Sequence, residues 1–157
     1  MRLKILFALC LLASALPALA RDPKSRDPMA KDGKFTICEF QNFDKCELLT
    51  DRTIARYRLN TREKRTLATL KQQAEAKTVS LTALAKSFGK PSKVFPHASH
   101  PNDTTLAWFF NSVGLDDLDA KCPECGIYIY LSGDVVTSVN YIVDGKFTIG
   151  WNRTAKP

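Results

Sequence analysis

The stretch Val79–Val143 decides the fold class of this chain, and it opens with VSLTALAKSFGKP, which predicts a short capped helix. Ser80 is a suitable N-cap, because its hydroxyl oxygen can accept a hydrogen bond from a backbone N–H of the first turn. Gly89 can adopt the left-handed conformation that ends many helices, and Pro91 prevents the helix from resuming. The apolar residues between these signals recur at helical spacing: Leu81, Leu84, Ala85 and Phe88.

The rest of this stretch alternates with the period of two that is typical of antiparallel strands. Residues 104–111 read TTLAWFFN, residues 126–132 read GIYIYLS and residues 135–143 read VVTSVNYIV, all rich in β-branched and aromatic side chains. Residues 146–151 follow a hairpin dipeptide and are expected to add a strand, as are residues 34–40. The hexapeptide DGKFTI opens both of these outer segments, which predicts two turn-then-strand starts with the same chemistry.

A second helix is predicted upstream, in the second half of residues 51–78. Asn60 and Glu63 fit a capping box, in which each side chain bonds the backbone N–H of the other. The apolar stripe that follows is Leu67, Leu70 and Ala74. The predicted fold class is therefore α+β, with two helices packed on one face of a three- to five-stranded antiparallel sheet and the other face semi-exposed.

The first 20 residues have the three parts of a secretory signal: a basic start, an apolar run and the small-residue site Ala18-Leu19-Ala20. We therefore expect an exported chain, periplasmic or secreted, with a flexible tail over residues 21–33 and one domain over residues 34–157. Cys10 lies inside the apolar run, so lipidation there is not expected. No second apolar span follows the signal, so we expect no transmembrane segment.

The chain is basic, with 23 lysines and arginines against 16 acidic residues. The signal carries two of the basic residues and no acidic ones, which leaves 21 against 16. An exported basic protein tends to meet anionic surfaces or an acidic partner, whereas nucleic acid is not expected in that compartment.

Between Asp51 and Lys71 there are seven basic residues and two acidic ones, and a tyrosine lies among the arginines. This basic stretch is the best candidate for a binding surface, and the alternative is a solvated helix face. The residues that we expect to make the contact are Arg56, Tyr57, Arg58 and Arg62.

Four cysteines follow the signal: Cys38, Cys46, Cys122 and Cys125. An even number in an exported chain implies disulfides, and three pairings are open. The simplest pairing joins Cys38 to Cys46 and Cys122 to Cys125. A four-cysteine zinc site ranks second, because seven residues separate Cys38 from Cys46. Thiol-redox catalysis by the C-x-x-C pair ranks last, because the motif precedes a strand and no helix N-terminus lowers the thiol pKa.

Other chemistry is weakly indicated. His97, His100 and Asp103 lie in a proline-containing loop and make a poor metal site without another fixed ligand. Three aspartates between residues 116 and 119 lack the ligand number and spacing of a calcium loop. Motifs for nucleophilic hydrolysis, zinc peptidases and phosphate binding are missing. We therefore expect no enzymatic activity and no cofactor.

Several short pieces together resemble the BamE/SmpA family of small outer-membrane assembly proteins. These pieces are Ser80–Phe88, Gly89-Lys90-Pro91, Trp108-Phe109-Phe110, Ile127–Leu131, Gly133 and Val135–Tyr141. The fold of that family is similar to that of β-lactamase inhibitory protein. The resemblance implies a protein–protein interaction module of the cell envelope.

The predicted contacts of such a module are the basic stretch and an exposed sheet face. That face would present Ala107, Phe109, Tyr128 and Tyr130. The alternative is an inhibitor or immunity protein that blocks a secreted enzyme or toxin with the same sheet face.

Overall fold

A computed structural model describes residues 33–40, 42–110 and 125–154, which form one antiparallel sheet and three helices. The strands are β1 (Thr36–Glu39), β2 (Asn42–Leu48), β3 (Lys93–Pro96), β4 (Asp103–Phe109), β5 (Gly126–Ser132), β6 (Val135–Val143) and β7 (Phe147–Asn152). The helices are α1 (Asp51–Arg56), α2 (Thr61–Glu75) and α3 (Leu81–Phe88). The strand order in the sheet is β2-β1-β7-β6-β5-β4-β3.

The predicted α+β fold with two helices and three to five strands is wrong. Within the residues that the structure describes, the sheet has seven strands, and strands account for 42% of these residues against 27% for helices. The predicted helices correspond to α2 and α3, and the missed elements are α1, β2 and β3. Helix α1 has six residues, too few to display a helical period. Strands β2 and β3 form the two edges of the sheet and have no buried residue, so neither shows the alternation of a half-buried strand.

The two copies of DGKFTI lie side by side in the sheet. Strands β1 and β7 pair antiparallel, with Ile37 opposite Ile149. The second residue of each copy is a glycine of positive φ, Gly33 at +66° and Gly145 at +60°, and each copy continues into a strand. The shared hexapeptide therefore marks two turn-then-strand starts, as predicted. Their pairing joins the first described strand to the last.

The predicted helix caps are confirmed. The Asn60 side chain accepts from Glu63 N at 2.9 Å, and the Glu63 carboxylate accepts from Asn60 N at 2.7 Å. Ser80 Oγ accepts from Ala83 N at 3.1 Å, and Gly89 follows the last turn of α3 with a φ of +81°. These bonds satisfy backbone groups that helix ends leave without partners.

The helices pack on one face of the sheet, which we call the covered face. Its alternating side chains join the helical stripe in a single apolar cluster. Leu70 of α2 and Leu84 of α3 are fully buried there. The sheet residues that are most deeply buried in this cluster are Ile37, Leu106, Ile127, Ile129, Val136, Val139 and Ile149.

Polar bonds fasten the helices to the sheet. The Arg153 guanidinium donates to Ala74 O and Ala76 O, at the end of α2, at 2.8 and 2.9 Å. Its Nε donates to Val136 O in β6 at 2.7 Å. Trp108 of β4 donates from its indole to Gly89 O at 2.9 Å. One arginine and one tryptophan thus hold the ends of α2 and α3 against the covered face.

The predicted signal, residues 1–20, and nearly all of the predicted tail lie outside the described residues. In the part of the chain that the structure describes, none of the helices combines the length and the apolar character needed to cross a bilayer.

Candidate functional site

Helices α1 and α2 form the walls of an open groove on the helical side of the sheet. One stripe of α1, Asp51, Ile54 and Ala55, faces one stripe of α2 across a volume of about 430 Å³. The α2 stripe consists of Lys64, Leu67, Ala68 and Lys71. Its positions i, i+3, i+4 and i+7 share one helical face, so the sequence itself aligns these side chains along the groove.

A second depression adjoins the first. It has a volume of about 410 Å³ and lies between the start of β1, the link from β2 to α1 and the last two turns of α2. Lys71 lines both depressions, and we call the two together the α1–α2 groove. The second depression is lined by Gly33, Lys34, Phe35, Leu48, Leu49, Thr50, Lys71 and Glu75.

Local interactions set the two walls in place. Thr50 caps α1, accepting from Thr53 N at 3.3 Å while Thr53 Oγ1 accepts from Thr50 N at 2.7 Å. After α1 the chain reverses at Arg58, whose φ of +53° is uncommon for a residue with a side chain. Leu59 is buried directly after this reversal and anchors the link before α2 begins. The links that precede and follow α1 are therefore short and held in place by these contacts.

Apolar side chains form the floor of the groove, and charged side chains lie along its rim. Leu67 is buried, Ile54 is half-buried, and both pack in or against the central apolar cluster. The described residues contain ion pairs between Arg56 and Glu47 and between Lys146 and Asp144, and none that involves a lysine of the groove.

The predicted arginine patch is divided between structural roles. Arg56 forms an ion pair with Glu47 of β2, and its guanidinium lies 5.7 Å from the centre of the Tyr57 ring. Tyr57 packs edge-on against Phe147 at 5.5 Å, and its hydroxyl donates to Glu47 at 3.5 Å. Burial, followed by the charge of Glu47, raises the pKa of Tyr57. Arg56 and Tyr57 thus fasten α1 to the sheet.

Arg58 and Arg62 do not share the contacts by which Arg56 and Tyr57 fasten α1 to the sheet. Arg58 is exposed at the chain reversal, and Arg62 stacks over the Phe110 ring at 5.4 Å. Arg62 also lines a small polar pocket of about 130 Å³ at the start of α2, beside Tyr141. Burial, followed by the charge of Glu63, raises the pKa of Tyr141 to about 12. The four predicted residues therefore do not form one continuous contact.

The predicted sheet-face residues lie on the side away from the helices, which we call the opposite face. Phe109 and Tyr128 are in edge contact at 5.9 Å, and Tyr130 follows two residues along β5. Burial raises the pKa of Tyr130. Ala107, which we expected to be exposed beside them, is fully buried. The two halves of the predicted binding site are therefore on opposite sides of the sheet.

The opposite face also holds polar groups in unusual settings. His97 Nε2 lies 3.0 Å from Thr105 Oγ1 and is engaged in a hydrogen bond. The side-chain oxygen of Asn140 is buried and has no hydrogen-bond partner among the described residues. Neither group is near the α1–α2 groove, whose lining contains no histidine or asparagine.

The simplest cysteine pairing is confirmed in its first half. Cys38 and Cys46 form a disulfide at directly paired positions of β1 and β2. Cys125 is also disulfide-bonded, and its predicted partner Cys122 lies outside the described residues. Oxidised sulfurs do not ligate zinc as thiolates do, so the four-cysteine zinc site is excluded. A disulfide of this kind is compatible with an oxidising, exported compartment.

The described residues contain no group of three or more histidine, cysteine or acidic side chains placed to hold a metal ion. This includes the loop with His97, His100 and Asp103, where His100 Nδ1 instead lies 2.9 Å from Ser99 Oγ. The aspartates at 116, 117 and 119 lie outside the described residues.

The sequence identified the stretch that builds the groove and missed the side chains that line it. Both walls fall within Asp51–Lys71, but the predicted contacts were the arginines rather than Lys64, Ala68 and Lys71. The pattern Lys-x-x-Leu-Ala-x-x-Lys was the available signal, because it places two cations beside a small apolar pair on one helical face.

No protein-family model, curated protein or solved structure matches this chain. The resemblance to the BamE/SmpA family therefore stays a proposal.

Proposed function

We propose that this protein is an exported protein–protein interaction module without catalytic activity, comparable in role to small outer-membrane assembly factors, and that it binds its partner on the helical side of the sheet. The observation that carries the proposal is the α1–α2 groove, with its apolar floor and its lysine rim. A predominantly apolar centre surrounded by polar groups is the usual composition of a protein interface.

The size of the groove supports a peptide-like contact. Two adjoining depressions of about 430 and 410 Å³ accommodate several side chains of a partner. The groove is open rather than enclosed, and its charged lining groups are lysines and carboxylates separated by apolar residues. Nothing in that lining pairs a nucleophile with a base, which is the arrangement that covalent catalysis needs.

The opposite face favours a second candidate function, an inhibitor or immunity protein that blocks a secreted enzyme or toxin. Tyr128 and Tyr130 are partly exposed there, and Phe109 contacts Tyr128. Tyrosine and phenylalanine are enriched at the centres of protein interfaces, since they bury a large area with few rotatable bonds.

Affinity capture from the cell envelope of the source organism tests both functions. Four forms of the chain serve as bait: wild type, Lys64→Glu with Lys71→Glu in the groove, Lys77→Glu with Lys86→Glu as the matched control, and Tyr130→Ala on the opposite face. Lys77 and Lys86 are exposed and lie outside the groove, so the control has the same change in charge. We expect one protein to be retained by wild type and control and lost from the groove variant.

The identity of that protein separates the two functions, since assembly machinery supports the first and a hydrolase or toxin supports the second. A partner retained by both lysine variants and lost from Tyr130→Ala also favours the inhibitor. If the wild-type chain retains no specific protein, the interaction module is overturned.

A further inference from the structure

We propose that the α1–α2 groove binds an acidic amphipathic segment of the partner protein, with an apolar side chain between Ile54 and Leu67 and carboxylates beside Lys64 and Lys71. This inference rests on the proposed function and names the chemistry of the segment that the groove takes.

The charge of the groove walls selects an acidic occupant. Three lysines line the groove, Lys34, Lys64 and Lys71, against two carboxylates, Asp51 and Glu75, which leaves a surplus of positive charge. Lys64 is exposed and Lys71 half-buried, and neither takes part in an ion pair among the described residues. A segment that carries carboxylates neutralises this surplus, whereas a basic segment adds to the repulsion.

The spacing of the two lysines sets the spacing of the carboxylates. Lys64 and Lys71 are seven residues apart, which is two helical turns or about 10 Å along the axis of α2. An extended partner segment spans about 10 Å in three residues, and a helical one in seven. Because successive side chains of an extended segment point to opposite sides, only an even spacing turns two of them toward the same wall. We therefore expect acidic residues four apart in an extended segment or seven apart in a helical one, with an apolar residue between them.

Two alanines leave the space that the apolar side chain enters. Ala55 of α1 and Ala68 of α2 are exposed and line the groove from opposite walls. A larger side chain at either position would occupy the groove without disturbing the buried core, because neither alanine belongs to the core cluster. Ala68→Phe is therefore a steric block that leaves the charge unchanged.

The concave shape of the groove favours a protein segment over an anionic membrane surface. A flat bilayer would contact the lysines of the rim, but it would not fill the space between α1 and α2. A steric block should therefore weaken the binding of a peptide and leave the binding of a bilayer unaffected.

A random peptide library displayed on phage tests the inference and does not require an identified partner. The library is selected on the wild-type chain after depletion on the variant Lys64→Glu with Lys71→Glu. We expect the enriched peptides to carry a surplus of aspartate and glutamate around leucine, isoleucine or phenylalanine. Enriched peptides that are neutral or basic would overturn the inference.

The most enriched peptide is then synthesised with a fluorescent label, and its affinity is measured by anisotropy. We expect Ala68→Phe and the groove lysine variant each to weaken binding by about tenfold or more, equivalent to about 1.4 kcal/mol. Two matched controls should bind as wild type does: Gln72→Phe, at an exposed α2 position outside the groove, and Lys77→Glu with Lys86→Glu. If Ala68→Phe binds normally and phosphatidylglycerol vesicles compete with the peptide, the site is an anionic-surface contact instead.

The experiments distinguish an overturned groove proposal from an overturned interaction-module proposal. If both lysine variants retain a natural partner, the interaction module is supported and the proposed binding at the groove is overturned. If no protein is captured, the interaction-module proposal is overturned, even where selected peptides bind the groove.

Discussion

The two faces of the sheet bury their residues in different ways. The covered face uses large aliphatic side chains, and Ile127, Ile129 and Ile149 are fully buried against the helices. The opposite face buries small or polar residues, such as Ala107 and Thr148, and a much smaller apolar cluster that contains Ile142. Burying a large aliphatic side chain contributes about 1.5–3 kcal/mol. The covered face therefore supplies most of the stability, while the opposite face is held by smaller and more specific interactions.

The sharpest test of this difference uses two neighbouring residues of β5. Ile129 points to the covered face and is fully buried, whereas Tyr130 points to the opposite face and is half-buried. We expect Ile129→Ala to lower the free energy of unfolding by about 3–4 kcal/mol, through lost burial and the cavity left behind. Tyr130→Ala should cost about 1–2 kcal/mol although it removes a larger side chain. Urea denaturation measures both, and an equal or larger cost for Tyr130→Ala would contradict the division between the faces.

Removing Arg153 tests how α2 is held on the covered face. Its guanidinium makes three hydrogen bonds to main-chain carbonyls of α2 and β6. We expect Arg153→Ala to destabilise the protein by about 3 kcal/mol, because several charge-assisted bonds are lost and buried carbonyls are left without donors. Arg153→Lys should recover less than half of this, since an ammonium group cannot reach all three carbonyls. Thermal unfolding followed by circular dichroism provides the measurement, and full recovery by lysine would show that charge alone matters.

Removing the disulfide between Cys38 and Cys46 tests how the edge strand β2 is held at the opposite face. Cys38 is fully buried, and its bond to Cys46 holds β2 against β1 across a sequence separation of eight. Replacing both cysteines with alanine should cost about 2.5 kcal/mol in the chain-entropy account of short closed loops. Chemical denaturation of the double variant with and without a reductant checks this value. A reductant should destabilise the wild type more than the double variant, which keeps only the bond at Cys125.

Alkaline pH should give the smallest loss of folding stability, and this loss should depend more on a tyrosine of the covered face than on one of the opposite face. The pKa of Tyr141 on the covered face is raised to about 12, from 10 in an unfolded chain. The stabilising neutral form is fully present below pH 10, and the stability is lost as the pH rises from 10 through 12. By pH 11.5 the loss is roughly 2 kcal/mol, since each unit of pKa difference corresponds to about 1.4 kcal/mol.

Tyr141→Phe should flatten this alkaline loss, as measured by urea denaturation at a series of pH values. The pKa of Tyr130 is also raised by burial. Because Tyr130 is more exposed than Tyr141, Tyr130→Phe should flatten the curve less. An equal response of the two variants would argue against the difference in burial.

The elements predicted from sequence are those in which one face is buried. Strands β5 and β6 and helices α2 and α3 were located because their apolar residues recur with the period of their backbone. The edge strands β2 and β3 were not predicted. Solvent contacts both of their faces, so their sequences do not show the alternation of apolar and polar residues. The binding residues were misassigned for a related reason. Side-chain charge is visible in a sequence, but whether Arg56 finds a carboxylate such as Glu47 depends on a partner from another element.

The amino-acid sequence alone determined the caps of α2 and α3, the alternation of the central strands and the turns of positive φ, because these depend on neighbours within a few residues. Only the tertiary structure decided that β1 lies beside β7, which side of the sheet carries each predicted contact, and that α1 and α2 enclose a groove. Those features depend on groups far apart in the chain, such as Thr36 and Gly150, meeting in space. Their pairing follows from the packing of the whole sheet, which no local pattern encodes.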